Sequence, residues 1–382
     1  MTKFASNPIQ RTIAIAAGGT AGHINTGIAI AQQYRNEVPT ASIVFVTEPG
    51  QLPEHILQRE NWQSVNLPSA PWMRTGLKGK FRAVWSILKG FVLAKRLLKS
   101  LQPDVVIGCG GYSSVALILA AYSMRITCVL HEANAIPGRA NRLLARFSKR
   151  IYLGWPEAQE QLEQNTVVTG IPLRLEFLNF VPQCNTLKQS RNLLIVGGSL
   201  GSSFLNRHGP DLAAHLTRQG VKLRVKHQTG QLENQAIQRA YLALGIDAEI
   251  TEFIDDITAA YYEADFVICC AGAITLAELA ATGVPCLIVP LKEASDDHQT
   301  ANVAAYFEAL KQRISQHALT NPVSLHWTSE QHWQAEPLAQ QIADLLRDTS
   351  ARMEHIKLIH EIHRPDAAKN LVTDCEQLLN RA

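Results

Sequence analysis

The chain has no C-x-x-C pair among its seven cysteines, no run of eighteen apolar residues, and no large excess of charge of either sign. Each absence excludes something. An odd number of scattered cysteines fits reduced thiols and argues against a disulfide framework or a zinc site. Without a long apolar run the chain lacks a transmembrane helix, and the opening MTKFASNPIQR has no apolar core from which a signal peptide could be built. A cytoplasmic protein is expected. A net charge of +3 is too small to point to nucleic acid as a partner. At 382 residues the chain exceeds what one core usually fills, so two domains are expected.

What is present begins with IAIAAGGTAGHI at 13–24. The apolar run Ile13 to Ala17 reads as a buried strand, and Ile24, Ile28 and Ala29 as the inner face of a helix. Between them Gly18, Gly19 and Gly22 allow positive φ and close approach, and the first N–H groups of the helix lack intrahelical partners. Such a turn attracts anions, phosphate above all. Its spacing, G-G-x-x-G, is not the dinucleotide fingerprint, and by itself it is equally a packing turn. NLLIVGGSLGSSFLN at 192–206 repeats the spacing through Gly197, Gly198 and Gly201. Further apolar strands are expected at ASIVFV (41), DVVIG (104), TCVLHE (127), KRIYLG (149), KLRVKHQ (222), ADFVICC (264) and PCLIVP (285), alternating with helical stretches. This is the β-α-β rhythm of parallel sheets. We expect two Rossmann-like domains, joined near GIPLRLEF at 170–177, with ligands at the carboxyl ends of the strands and the active site in a cleft between the domains.

Charge is unevenly spread. Residues 71–100 hold eight Lys or Arg and no acid, and 139–150 hold five more without an acid. Phe81, Trp85, Leu88 and Val92 can share a helical face among those basic residues, which suits anionic lipid headgroups and equally suits a core-packed helix with a solvated back.

Several segments occur in one family's order: GGTAGH (18–23), GCGGYSS (108–114), HEANAIPG (131–138), GIPLR (170–174), GGSLGSSFLN (197–206), EFIDD (252–256), AGAITLAELAATGVP (271–285) and DHQTANVA (297–304). The chain resembles the MurG family of N-acetylglucosaminyltransferases over nearly its whole length. The resemblance implies an α/β fold of GT-B type: two Rossmann-like domains with parallel sheets facing across a cleft. Residues 1–173 would form an acceptor- and membrane-facing domain, completed by a final helix at 365–382, and 174–364 a UDP-sugar domain. It implies inverting transfer of N-acetylglucosamine from UDP-N-acetylglucosamine to lipid I, a polyprenyl-pyrophosphate-linked acceptor, on the cytoplasmic face of the membrane. Residues 71–100 and 139–150 would meet the anionic surface.

The matched positions imply roles. His23 becomes the candidate base. Gly18, Gly19, Thr20, Gly22, Gly110, Gly111, Tyr112 and Asn134 fall at the acceptor, with Thr20, Gly22 and Asn134 also near the donor. Arg174, Gly198, Ser199, Ile254, Ala273, Ile274, Thr275, Glu278, His298 and Gln299 match the donor site. The chemistry is consistent: inversion needs a base for the attacking hydroxyl, and histidine titrates near working pH. There is no D-x-D triplet, the usual carboxylate site for a nucleotide-bound metal, so no metal or other cofactor is expected. Backbone N–H groups after Gly198 and Gly272, with Arg174, would then meet the leaving diphosphate. Glu278 could accept both ribose hydroxyls, although as a bare feature it reads as a solvated first-turn residue.

Three departures touch these motifs. Ala21 stands where the family usually has glycine, Ile171 where it has asparagine, and Cys270 where it has arginine. They leave open a paralogue using another UDP-sugar or lipid-linked acceptor, and a non-catalytic membrane-associated binding protein.

Overall fold

The computed structural model describes residues 10–68, 77–162, 165–181, 190–231, 234–292, 297–317 and 326–381. The chain divides into two units, Met1–Leu175 with Asp366–Ala382, and Glu176–Pro365.

In unit 1 the strands are β1 (Thr12–Ala16), β2 (Ser42–Thr47), β3 (Ser64–Asn66), β4 (Val105–Gly108), β5 (Thr127–Glu132), β6 (Arg150–Leu153) and β7 (Thr166–Val168). They form one parallel sheet in the order β3-β2-β1-β4-β5-β6-β7. Its inner strands are apolar because helices cover both faces: Ile13, Ile15, Val106 and Ile107 have no exposure. The helices are α1 (Ala21–Glu37), α2 (Gln51–Arg59), α3 (Leu77–Leu101), α4 (Tyr112–Ser123) and α5 (Arg139–Leu144). α3 packs closely on α4. A side chain at Gly90 would meet the Pro68 carbonyl at 2.9 Å and Ala116 Cβ at 3.2 Å.

The chain passes to unit 2 through α6 (Leu175–Leu178). There β8 (Arg191–Val196), β9 (Leu223–Gln228), β10 (Asp247–Thr251), β11 (Phe266–Cys269), β12 (Cys286–Ile288) and β13 (His326–Trp327) form a second parallel sheet, β10-β9-β8-β11-β12-β13. It carries α7 (Ser203–Arg218), α8 (Asn234–Ala243), α9 (Ile257–Glu263), α10 (Ala273–Thr282), α11 (His298–His317), α12 (Ala335–Arg347) and α13 (Thr349–His360). Leu193, Ile195, Leu205, Leu212, Phe266 and Ile342 centre its core.

The last helix, α14 (Ala367–Asn380), returns to unit 1 and packs on α1. Arg11 Nε donates to Glu376 at 3.0 Å, while Arg150 Nε and the Tyr152 hydroxyl both reach Asp374, at 3.1 and 3.0 Å. The six described cysteines are free thiols, all buried. Of the chain's helices, none that is described is long and apolar enough to cross a membrane.

Every strand expected from the sequence is present within a residue or two. β3, β7, β10 and β13, which the sequence reading did not include, occupy the four sheet edges.

Candidate functional site

In both sheets the strand order reverses beside the first strand, between β1 and β4 and between β8 and β11. Loops leaving such a pair at its carboxyl end turn to opposite faces and open a crevice between them. The glycine turns stand at those two places.

In unit 1, Gly18 and Gly19 leave β1 and Thr20 caps α1, its Oγ1 accepting the His23 N–H at 3.5 Å. Positive φ is used only at Gly19 (82°); Gly18 and Gly22, expected to exploit it, do not. Ala21 is the first helical residue, buried and without positive φ, so its methyl needs no strained backbone. The need for glycine at Gly18 is spatial, since an added Cβ would lie 2.7 Å from Ser113 Oγ. The His23 ring is held by Nδ1, 2.7 Å from the Gly18 carbonyl. A carbonyl only accepts, so in the neutral ring Nδ1 carries the proton and Nε2 the lone pair a base requires. Nε2 has no hydrogen-bond partner among the described residues, and its ring lies against Gly110, where a Cβ would approach Nε2 to 2.7 Å. Gly110 (φ 108°) and Gly111 (φ 87°) thus let the β4 turn close on the β1 turn; at Gly111 a Cβ would meet the Gly18 carbonyl oxygen at 2.6 Å. Tyr112 opens α4.

Two carboxylates that the sequence reading did not single out organise this end of the sheet. Glu48, following β2, accepts the Ser113 N–H at 3.1 Å, which places negative charge in the first turn of α4. Glu132, at the end of β5 and buried, accepts from the backbone and side chain of Asn134 at 2.9 and 3.0 Å through Oε1, and from Gly138 N–H and Asn141 Nδ2 at 2.8 Å each through Oε2. All of HEANAIPG is therefore wrapped around one carboxylate, and Asn134 is fixed by it. His131 is buried and bonds the Gly170 carbonyl through Nε2 at 3.3 Å. Burial pulls its pKa down to about 4 against that bond, and the nearby His23 adds to the lowering. Arg174 lies in unit 1, buried, 3.6 Å from Glu60 Oε1. Ile171 is buried against Gly154.

In unit 2, Gly198 (φ 80°) and Ser199 follow β8, Ile254 follows β10, Ala273, Ile274, Thr275 and Glu278 follow β11, and His298 and Gln299 open α11 after β12. The turns after β8 and β9 interlock: a Cβ on Gly201 would lie on the Thr229 carbonyl oxygen, and one on Gly230 would meet Gly201 N and Leu200 O at 2.5 Å. α7 is capped from within, Ser202 Oγ accepting Leu205 N–H at 3.2 Å, whereas α10 begins at Gly272 with no side-chain cap. The α10 N-terminus therefore offers its N–H groups and dipole to an anion. Gln299 Oε1 accepts from both Ala271 N–H (3.0 Å) and Leu291 N–H (2.9 Å), tying the loops after β11 and β12 together. Its amide nitrogen has no hydrogen-bond partner among the described residues and can donate.

Glu278 corrects the solvated first-turn reading. It is the sixth residue of α10, only 6% exposed, and its Oε2 accepts from the fully buried Tyr261 hydroxyl at 3.2 Å. Cys270 is buried just after β11, and burial pushes its thiol up to about 12, so it stays protonated and uncharged.

The N-terminal domain of glycosyltransferase family 28 matches residues 13–153, and the C-terminal domain of that family matches 192–352. The UDP-N-acetylglucosamine–N-acetylmuramyl-(pentapeptide) pyrophosphoryl-undecaprenol N-acetylglucosamine transferase of Trichlorobacter lovleyi is 33% identical, over 94% of this chain and 96% of its own. The transferase of the same name from Geotalea daltonii is 36% identical, over 76% and 80%. Among solved structures, MurG of Acinetobacter baumannii superposes with a TM-score of 0.68 at 27% identity, covering 97% of this chain and all of that one. A Listeria monocytogenes protein described as a UDP-N-acetylglucosamine 2-epimerase reaches 0.67 over 98% of both chains, but at 13% identity that likeness shows the fold alone. Two parallel-sheet domains of the GT-B kind, both family 28 domains in order and full-length identity above 30% lead to one conclusion: the chain belongs to the MurG family of N-acetylglucosaminyltransferases.

Proposed function

We propose that this chain transfers N-acetylglucosamine from UDP-N-acetylglucosamine, with inversion, to the muramyl-pentapeptide carried on a polyprenyl pyrophosphate. The relatives named above are transferases of that reaction. The observation that carries the reading here is the histidine at the β1 turn: Nδ1 is committed to the Gly18 carbonyl and Nε2 is left as an acceptor beside two interlocked glycine turns. That is the arrangement of a base beside an anion-binding backbone.

Unit 1 holds the acceptor. The pyrophosphate lies against Gly18, Gly19, Thr20 and Gly22, with Gly110, Gly111, Tyr112 and Asn134 flanking it, and Nε2 of His23 takes the proton of the attacking hydroxyl. Unit 2 holds the donor. The diphosphate lies at Gly198, Ser199 and the uncapped start of α10 at Ala273, Ile274 and Thr275. Ile254 meets the base, Glu278 the ribose hydroxyls, and His298 and Gln299 the sugar side. Arg174 supplies a cation without a metal. The enzyme works as a peripheral protein on the cytoplasmic face of the membrane, its basic segments at 71–100 and 139–150 against anionic lipid.

The experiment is UDP release by purified protein given UDP-N-acetylglucosamine and a lipid I analogue, with and without chelator. Release requiring both substrates and surviving chelation is expected. In His23→Ala turnover falls by about 10²–10⁴, the usual share of general base catalysis, while affinity for UDP-N-acetylglucosamine stays within twofold. A large loss of donor affinity in His23→Ala removes the histidine from the acceptor side, and failure of wild-type protein to bind the donor removes the transferase reading.

A further inference from the structure

β9 lies between β8 and β10, and its last residue is Gln228, only 3% exposed. Its side chain spans the two loops on either side. Nε2 donates to the Gly198 carbonyl at 2.8 Å, and Oε1 accepts the Ile254 N–H at 3.1 Å. One partner is a pure acceptor and the other a pure donor, so the amide has one orientation and both ends are used. An ionised carboxylate offers no donor for Gly198, and an apolar side chain offers neither bond.

The consequence for the loop follows from peptide planarity. In a trans peptide the carbonyl and the next residue's N–H point to opposite sides. The Gly198 carbonyl is held inward twice, by Gln228 and by the Gly201 N–H at 3.0 Å. The Ser199 N–H is therefore turned away from the buried side, outward from the glycine turn. Gly198, at φ 80° and with nothing within 4 Å of where a Cβ would stand, has neither a side chain nor a crowded neighbour to hold that orientation on its own. The Phe253–Ile254 peptide is clamped in the same manner, by the Thr251 hydroxyl on the Phe253 carbonyl (2.9 Å) and by Gln228 on the Ile254 N–H.

We infer that Gln228 is the positioning residue of the donor site: a buried amide that locks the Gly198–Ser199 peptide in its anion-binding orientation and fixes the 254 loop to it, so that the diphosphate and base ends of a UDP-sugar meet one preset frame. The inference rests on the donor reading of unit 2 given above. Gln228 touches no substrate and acts through the two loops.

The test is binding of UDP-N-acetylglucosamine by full-length wild type, Gln228→Met and Gln228→Glu, by calorimetry between pH 5.5 and 8.5, with thermal unfolding of each and steady-state kinetics at pH 8. The donor is a diphosphate diester whose charge is constant across this range. Gln228→Met keeps the bulk and loses both bonds; it is expected to bind at least tenfold more weakly at every pH, through a raised KM with kcat within about threefold. Gln228→Glu is expected to match that deficit when ionised, and to recover as pH falls and its carboxyl regains a proton to donate to the Gly198 carbonyl. Gln228→Met that unfolds cooperatively yet binds within twofold of wild type overturns the inference, as does a Gln228→Glu deficit that ignores pH. Wild type that does not bind the donor overturns the donor reading and the inference together; wild type that binds beside indifferent variants overturns the inference alone.

Discussion

Gly110 has no room to be anything larger. Its φ of 108° disfavours any side chain, and a methyl there would press on the Nε2 edge of His23. Gly110→Ala should destabilise unit 1 by about 1–3 kcal/mol through the strained backbone alone. It should also cut turnover at least as severely as His23→Gln, because the ring must leave the Gly18 carbonyl to make space. Urea unfolding and kcat on the lipid I analogue measure the two effects; full turnover would show that the two turns are not mutually required. At this scale the sequence was legible only in part. HEANAIPG marked Asn134, but that four hydrogen bonds converge on Glu132 depends on the loop's path, which no spacing in the motif encodes. As a bare feature near a helix start Glu278 reads as solvated, although the resemblance places it at the donor; its burial comes from the Tyr261 hydroxyl, which reaches it from another helix.

Elements were easier to read than residues wherever burial was complete. β1, β4, β5, β8 and β11 are apolar on both sides and stand out in the sequence. β3 (SVN, exposed throughout), β7, β10 (DAEIT) and β13 sit at sheet edges, pack on one side at most, and so carry no apolar run to find. α3 presents two faces. Ala94 and Leu98 are buried toward α4, while Leu88 (54% exposed) and Val92 (50%) face out with Lys89, Lys95, Arg96 and Lys99. Phe81 and Trp85 belong to the same expected face, but their side chains lie outside the described residues. The neighbouring α4 and α5 add exposed Tyr122, Leu143, Arg139 and Arg142, with Arg146 and Lys149 just beyond. At about 1 kcal/mol for each basic residue near an anionic surface, neutralising Lys89, Lys95, Arg142 and Arg146 to Gln should weaken vesicle binding by roughly three orders of magnitude. Sedimentation with phosphatidylglycerol vesicles reads it, and unchanged partitioning would remove α3 and α5 from the proposed membrane contact.

For the molecule as a whole, stability should depend on acid. Burial lowers the pKa of His131 in unit 1 to about 4 and of His227 in unit 2 to about 3, from an unfolded value of 6.5. Above pH 6.5 both states are neutral at these sites and stability is indifferent to pH. Below it the unfolded chain binds protons that the native histidines refuse, so stability falls as pH drops, by about 1.4 kcal/mol per pH unit per histidine until the native values are reached. His363, lowered to about 4 by burial and by His360, adds a third proton. Unfolding temperature should fall steadily from pH 6.5 to 5, and His227→Phe should flatten the slope; a midpoint constant over that interval would mean these rings are charged in the native state. The two-domain plan was legible because each unit repeats the same strand-turn-helix opening. The return of the chain to unit 1 was legible only through family resemblance, since no feature of PDAAKNLVTDCEQLL names the surface it covers. That return governs how the protein can be made. Arg11, beyond its pairing with Asp104, reaches Glu376 in the final helix, and Arg150 and Tyr152 both reach Asp374 there. Although domains tend to fold in order as they leave the ribosome, unit 1 must wait, with one face of α1 uncovered, while all of unit 2 is synthesised. Of the two units, the one made first is the last to be finished, and a nascent chain stalled between the end of α1 and residue 367 should leave that unfinished face open to chaperones and proteases.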